Sequence, residues 1–295
     1  MIPRTMTASH LDAVSTVRLA DVPVPTVAPL QVLVELRAVG VCGSDVHYFD
    51  HGHIGNYVPD GPMILGHEAS GVVVAVGEGV SPLRLGERVS LEPQRSCRRC
   101  LQCKAGRYNL CPEVTFLATP PYDGAFTQYL PSTKTPPTPF LTTSLSRPAL
   151  CEPLSVGIWA VQKAQLGVSA RVLISRAGPI GIITSPVARS IGATDILVSD
   201  PQEARRDAAL RFGTTRVINP EDEDMVSVAA EVDAFIEASG SPRALAAGIH
   251  AGAPAGRVVF LGSGVVSAEL PIARIQAREL QVTGGSVTPT PGPTR

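Results

Sequence analysis

What this 295-residue chain lacks narrows its class first. It has no excess of one charge. With 25 basic against 26 acidic residues the net charge is −1, so no global field draws it to nucleic acid or to a membrane. It has no apolar run of membrane-spanning length, and Met1–Ala8 carries no apolar core of the kind an export signal needs. The expected place is the cytoplasm, with neither nucleic acid nor membrane as partner. Aromatic residues are few, at 4%, whereas Gly and Pro each number 27. That balance suits a turn-rich β domain joined to a glycine-bearing α/β domain, and the length allows two domains of ordinary size.

Cysteine is scarce too, at six, yet four of the six cluster. Cys97, Cys100, Cys103 and Cys111 stand in the order C-x2-C-x2-C-x7-C. Four thiolates at such spacing can close a tetrahedron around one Zn²⁺ with no open position, which makes a structural site and does no chemistry. A disulfide pair is the alternative, and it needs an oxidising compartment. The surrounding Arg95–Arg107 segment is locally basic; alone it reads as a solvated loop rather than a nucleic-acid patch.

The two halves follow different patterns. Residues 1–130 read as short strands separated by turns, with β-branched enrichment in Gln31–Ala38 and Gly71–Val76. From about Arg171 strand and helix alternate. Arg171–Ser175, Asp195–Ser199, Arg216–Ile218, Ala234–Glu237 and Arg257–Leu261 read as strands, with helices over Pro179–Ile191 and Gln202–Phe212. Such alternation predicts a parallel, doubly wound sheet with helices on both faces. The joint is expected near 151–167.

The first strand of the second half leads into Arg176-Ala177-Gly178-Pro179-Ile180-Gly181 and then a helix. A dinucleotide fingerprint places three glycines here: one for the tight turn, one for close approach of the pyrophosphate, one for helix packing. Gly178 and Gly181 supply two, and Arg176 replaces the first, where a Cβ is costly if the turn needs positive φ. Asp200 ends the next strand. An acid there can bond ribose hydroxyls and repel a 2′-phosphate, which favours NAD over NADP; the alternative is that Asp200 merely caps the following helix.

A second constellation is spread over three segments. Residues 40–47 read Gly-Val-Cys-Gly-Ser-Asp-Val-His, 65–71 read Leu-Gly-His-Glu-Ala-Ser-Gly, and 151–155 read Cys-Glu-Pro-Leu-Ser. A thiolate, an imidazole and a carboxylate from separate segments make an open zinc site with room for a substrate oxygen. Ser44 followed by His47 offers a hydroxyl and an imidazole as a proton relay. Alone, His67 would read as an interior histidine; the three segments together point to a ligand.

At these residues the chain resembles the sorbitol/xylitol (polyol) dehydrogenase branch of the zinc-dependent medium-chain alcohol dehydrogenases, over about Val32–Tyr129 and Ala149–Gly284. The resemblance implies a GroES-like catalytic domain over 1–150 and a Rossmann NAD-binding domain over 151–285. It implies two zinc ions per chain. The catalytic ion would be held by Cys42, His67 and Glu68, with Glu152 as fourth ligand or water partner and Asp45 orienting His67; the structural ion would be held by the four clustered cysteines. Tyr48 and Phe116 would join Glu152 along the polyol pocket. Gly178, Ile180, Gly181, Asp200 and Arg205 would hold NAD. A carboxylate ligand in place of the thiolate of other alcohol dehydrogenases makes the site harder and suits polyhydroxylated substrates. A homo-oligomer, tetramer or dimer, is expected through the sheet edge near Leu280–Thr283.

Two segments depart from that family. The Pro/Thr-rich stretch 131–147 and the tail 286–295 stand where hydrophilic strand and loop segments and a substrate-binding Arg motif are expected. Back-translated and shifted by two bases, both stretches yield family-like strings. The expectation is therefore that both are out of frame, that strand pairing is lost over 131–147, and that activity of this chain suffers. The competing function is a zinc-binding remnant without turnover. A threonine- or simple-alcohol-specific relative is disfavoured by Tyr48, Phe116 and Glu152, and a nucleic-acid-binding zinc module by the near-zero net charge.

Overall fold

The computed structural model describes residues 1–81, 83–132, 138–139, 147–262 and 267–286; most of 131–147 and all of 287–295, and the frame-shift expectation with them, lie outside the described residues. Two compact units are present, Met1–Glu152 and Pro153–Ser286.

The first unit is mostly antiparallel strand. In chain order its elements are β1 (Thr5–Ala13), β2 (Thr16–Pro23), β3 (Val32–Gly40), α1 (Gly43–His51), β4 (Met63–Ile64), β5 (Glu68–Val76), β6 (Arg88–Ser90), β7 (Gln94–Arg95), α2 (Leu101–Lys104), β8 (Thr115–Phe116), β9 (Tyr129–Ser132) and β10 (Thr138–Pro139). A five-stranded sheet runs β10-β6-β5-β3-β9, beside a three-stranded β2-β1-β4 sheet and a small β7-β8 ladder. Val32, Val34, Ala69, Val73, Val89 and Leu91 alternate inward along β3, β5 and β6 and just beyond it to form the core of the larger sheet. The expected loss of pairing after Leu130 is corrected for the described residues. Pro131 pairs with Leu33 in β9, and Pro139 pairs with Val89 in β10. Both strands are sheet edges, where a missing N–H donor faces away from the ladder and proline is tolerated.

The second unit contains α3 (Cys151–Ala164, entering from the first), β11 (Arg171–Ser175), α4 (Pro179–Ser190), β12 (Asp195–Ser199), α5 (Glu203–Arg211), β13 (Arg216–Ile218), α6 (Met225–Val228), β14 (Val232–Glu237), α7 (Pro242–Ala251), β15 (Gly252–Phe260), α8 (Ile272–Ala277) and β16 (Gln281–Gly284). Six parallel strands run β13-β12-β11-β14-β15-β16, so the order reverses between β11 and β14. Side-chain alternation fills both faces. Val172, Ile174, Ile196 and Val198 pack with residues of α3, α4 and α5 on one side. Leu173, Leu197, Phe235 and Val258 pack with α6 and α7 on the other. Strands covered on both faces read as continuous apolar runs, which is the pattern of RVLIS and DILVS.

Candidate metal centre and cofactor corner

Strand register explains why distant ligands meet. Gly40, at the end of β3, pairs with Glu68, at the start of β5, so Cys42 lies two residues beyond one strand and His67 one residue before the other. Gly40 is required here, because a Cβ would stand 1.9 Å from Glu68 Oε2. Cys42 is the N-cap of α1, and its N–H donates to Asp45 Oδ2 at 2.9 Å. The other oxygen of Asp45 accepts from Gly66 N–H at 2.9 Å. Asp45 therefore staples the two ligand-bearing loops by their backbones. It lies 3.9 Å from His67 Nδ1, beyond hydrogen-bond reach, so its hold on the imidazole runs through Gly66 rather than directly.

Donor atoms of Cys42, His67 and Glu68 lie within 4.8 Å of one another. Glu152, on the first turn of α3, stands outside that group but feels Glu68 electrostatically. Burial, then the charges of Glu68, Glu92 and Asp45, push its carboxyl up to about 8. Burial likewise raises the Cys42 thiol and the Glu68 carboxyl. Burial and the neighbouring acids thus raise the carboxyls of this corner, and the donor set of thiolate, imidazole and carboxylate fits Zn²⁺. Glu92, one of the charges acting on Glu152, gave no signal in the sequence because nothing in its local string marks it.

The surrounding residues divide. Ser44 hydrogen-bonds Cys42. His47 stacks on His51 at 4.3 Å between ring centroids, and burial with the His51 and His53 charges lowers its pKa. Phe116 packs edge-on against His67 at 5.2 Å and lines a largely apolar cavity of about 380 Å³ with Met6, His10 and Ile64. Tyr48 is only 2% exposed and packs with Leu11, Met63 and Leu65, where burial pushes its hydroxyl up to about 12.

The four clustered cysteines also come within 4.8 Å of one another. Cys97 N–H donates to Cys111 Sγ, Cys100 N–H to Cys97 Sγ, and Cys103 N–H to Cys100 Sγ, at 3.4–3.5 Å. Backbone donation, chiefly from Arg99, brings the Cys97 thiol down to about 7. All six cysteines are free thiols, and the pre-formed S₄ cage fits zinc.

In the second unit, Arg176 adopts φ +75°, the left-handed region. Gly178 N-caps α4, and a Cβ on Gly181 would stand 2.0 Å from the Arg176 carbonyl oxygen, the close approach the third fingerprint glycine permits. Ile180 begins the first turn of α4 beside Pro179. Asp200 is 1% exposed; Oδ2 accepts from Ala177 N–H at 3.0 Å and Oδ1 from Gln202 N–H at 2.8 Å. It therefore ties the β11–α4 loop to Gln202, the residue that N-caps α5. Arg205 approaches its Oδ2 at 3.8 Å. Glu237, 4% exposed, was not foreseen. Its Oε1 accepts from Ser175 Oγ and from the N–H groups of Ser239 and Gly240, closing the corner where the strand order reverses.

Comparison with known proteins decides the family. Residues 28–136 match the alcohol dehydrogenase GroES-like domain and residues 179–291 match the zinc-binding dehydrogenase domain. The chain belongs to the zinc-dependent medium-chain alcohol dehydrogenases. It is similar to the Bacillus subtilis sorbitol dehydrogenase, 38% identical over 88% of this chain and 76% of that protein. An Aspergillus clavatus protein named "Probable D-xylulose reductase A" is 38% identical over 93% of this chain and 80% of its own length. Among solved structures, a Sinorhizobium meliloti protein described as a "putative zinc-binding dehydrogenase" and bound to NADP superimposes with a TM-score of 0.90 at 30% identity, covering 97% of this chain and 86% of that one. Among the described residues no helix is long and apolar enough to cross a membrane.

Proposed function

We propose that this chain is an NAD-dependent polyol dehydrogenase, oxidising a secondary hydroxyl of an alditol such as sorbitol or xylitol to a ketose. The observation that carries the reading is the convergence of Cys42, His67 and Glu68 within 4.8 Å, with Glu68 acting electrostatically on the half-buried Glu152. A zinc ion bound there supplies Lewis acidity that lets a substrate hydroxyl lose its proton near neutral pH. Ser44 Oγ, beside Cys42, takes that proton, and His47, held neutral by its surroundings, passes it to solvent. Glu152 completes the ligand set or holds its water, Asp45 fixes both ligand loops, and Phe116 and Tyr48 shape the wall.

Gly178, Ile180 and Gly181 would hold the cofactor. Asp200 keeps lone pairs free beyond its two backbone bonds, so it could accept ribose hydroxyls while repelling a 2′-phosphate, and Arg205 would stand beside that ribose. The four cysteines hold a structural zinc. The chain works in the cytoplasm as a dimer or tetramer, docking through β16, the sheet's edge strand.

The test is zinc content by mass spectrometry together with NADH formation on sorbitol, xylitol, threonine and a primary alcohol. Two zinc ions and turnover confined to alditols support the reading. Stoichiometric zinc with no NADH on any alditol moves the chain to the second reading, a zinc-holding remnant. That reading is favoured by Arg176 in a glycine's place, and resequencing codons 128–150 shows whether 131–147 is out of frame.

A further inference from the structure

The residue that breaks the fingerprint sits where it can act on the cofactor. Arg176 stands at the C-terminal tip of β11, beside the strand-order reversal between β11 and β14 where open parallel sheets bind their ligands. Its Nη1 reaches across that reversal to the carbonyl oxygen of Ser239, beyond β14, at 3.4 Å. Its Nε, Cδ and Cγ lie 3.5–3.7 Å from where a Cβ on Gly178 would project, the side from which a diphosphate approaches the helix N-terminus. The side chain is exposed and its one hold is long. The neighbouring cations are committed elsewhere. Arg205 faces Asp200, and Arg206 donates to the carbonyl oxygens of Asp200 and Pro201. The first turn of α4 carries no acid to oppose an anion.

A non-glycine residue at φ +75° is strained, and such strain persists at sites where the conformation is used. We infer that Arg176 is a diphosphate clamp: its guanidinium leaves the Ser239 carbonyl and donates to the cofactor's diphosphate oxygens, adding a cation that a glycine cannot offer. This rests on the dinucleotide reading of the α4 corner. It differs from the expectation that Arg176 obstructs the loop, because the side chain folds across the crevice instead of into the turn.

The experiment is NADH titration by fluorescence on the full, zinc-loaded chain at low and high salt. Wild type is compared with Arg176→Gln, Arg176→Lys and Arg176→Gly, and thermal midpoints are taken alongside. The clamp predicts that Arg176→Gln weakens NADH binding about tenfold, the scale of one charge-assisted hydrogen bond, and flattens the salt dependence. Arg176→Lys recovers part of the loss. Arg176→Gly also weakens binding even as its thermal midpoint rises from the relieved strain. Equal or tighter binding by Arg176→Gln and Arg176→Gly overturns the clamp while leaving the nucleotide site standing. So does binding that appears only in Arg176→Gly. No NADH binding by wild type or any variant overturns the nucleotide reading and the clamp together.

Discussion

Gly181→Ala probes how tightly the phosphate loop is wound on α4. The added Cβ would stand 2.0 Å from the Arg176 carbonyl oxygen, whereas a carbon and a carbonyl oxygen settle at about 3.3 Å or more. Loop or helix must therefore move by about 1 Å, and both are backbone within a packed corner. Overpacking of this kind costs about 1–3 kcal/mol. For a unit of this size that lowers the thermal midpoint by about 3–10 °C. Gly178→Ala is the matched control. Its Cβ would meet only the Arg176 side chain, at 3.5 Å or beyond, so the cost is confined to a poorer helix cap, about 0.5–1 kcal/mol. Adding Arg176→Gly to Gly181→Ala frees the loop at φ +75°, so the pair should lose less stability than the sum of the singles. Thermal melts followed by circular dichroism, with urea unfolding as a check, read all four. A Gly181→Ala midpoint within about 1 °C of wild type would refute the tight-turn argument.

Three further outcomes are expected. Cys100→Ser opens the four-thiol cage and removes the sulfur that caps α2, so zinc content should fall from two ions to one while the other site stays loaded; retention of two ions counts against a structural zinc. Asp45→Asn keeps one acceptor of the two that staple Cys42 and Gly66, costing about 2 kcal/mol and lowering zinc affinity at the Cys42 site by about tenfold or more, read by chelator competition. His47 is held below the ordinary histidine value of 6.5, so it stays neutral at pH 7 and turnover should fall as pH drops on the acid side of that value. His47→Asn should remove that acid limb, and an unchanged pH profile excludes His47 from the relay.

Much of this was legible in the sequence because its signals are local. The apolar runs RVLIS and DILVS appear as β11 and β12 with their expected bounds, since a strand buried on both faces needs no partner to announce itself. The cysteine spacing likewise carries its own geometry. Helix α1 was missed because its apolar periodicity is faint, although Asp45 three residues after the Cys42 cap and Gly52 at φ +79° bound it. Tyr48 followed from resemblance as a pocket residue; its burial beside Leu11 and Met63 depends on β1 and β4, which no reading of the local string brings together. Glu237 shares that fate, for a buried carboxylate is defined by what surrounds it.

Asp200 and Arg176 show what a partial motif conceals. In the sequence Asp200 reads as a ribose acceptor or as a helix cap. The fold gives it bonds to both Ala177 and Gln202, and a carboxylate with about four acceptor positions has capacity left for a ribose. Arg176 was a defect on paper because the rule for that position concerns the backbone alone. The backbone does pay, with φ at +75°, yet the side chain ends in the crevice where an anion would lie. A motif scored by its glycines counts only the strain; the direction of the guanidinium is what turns the same substitution into a chemical claim.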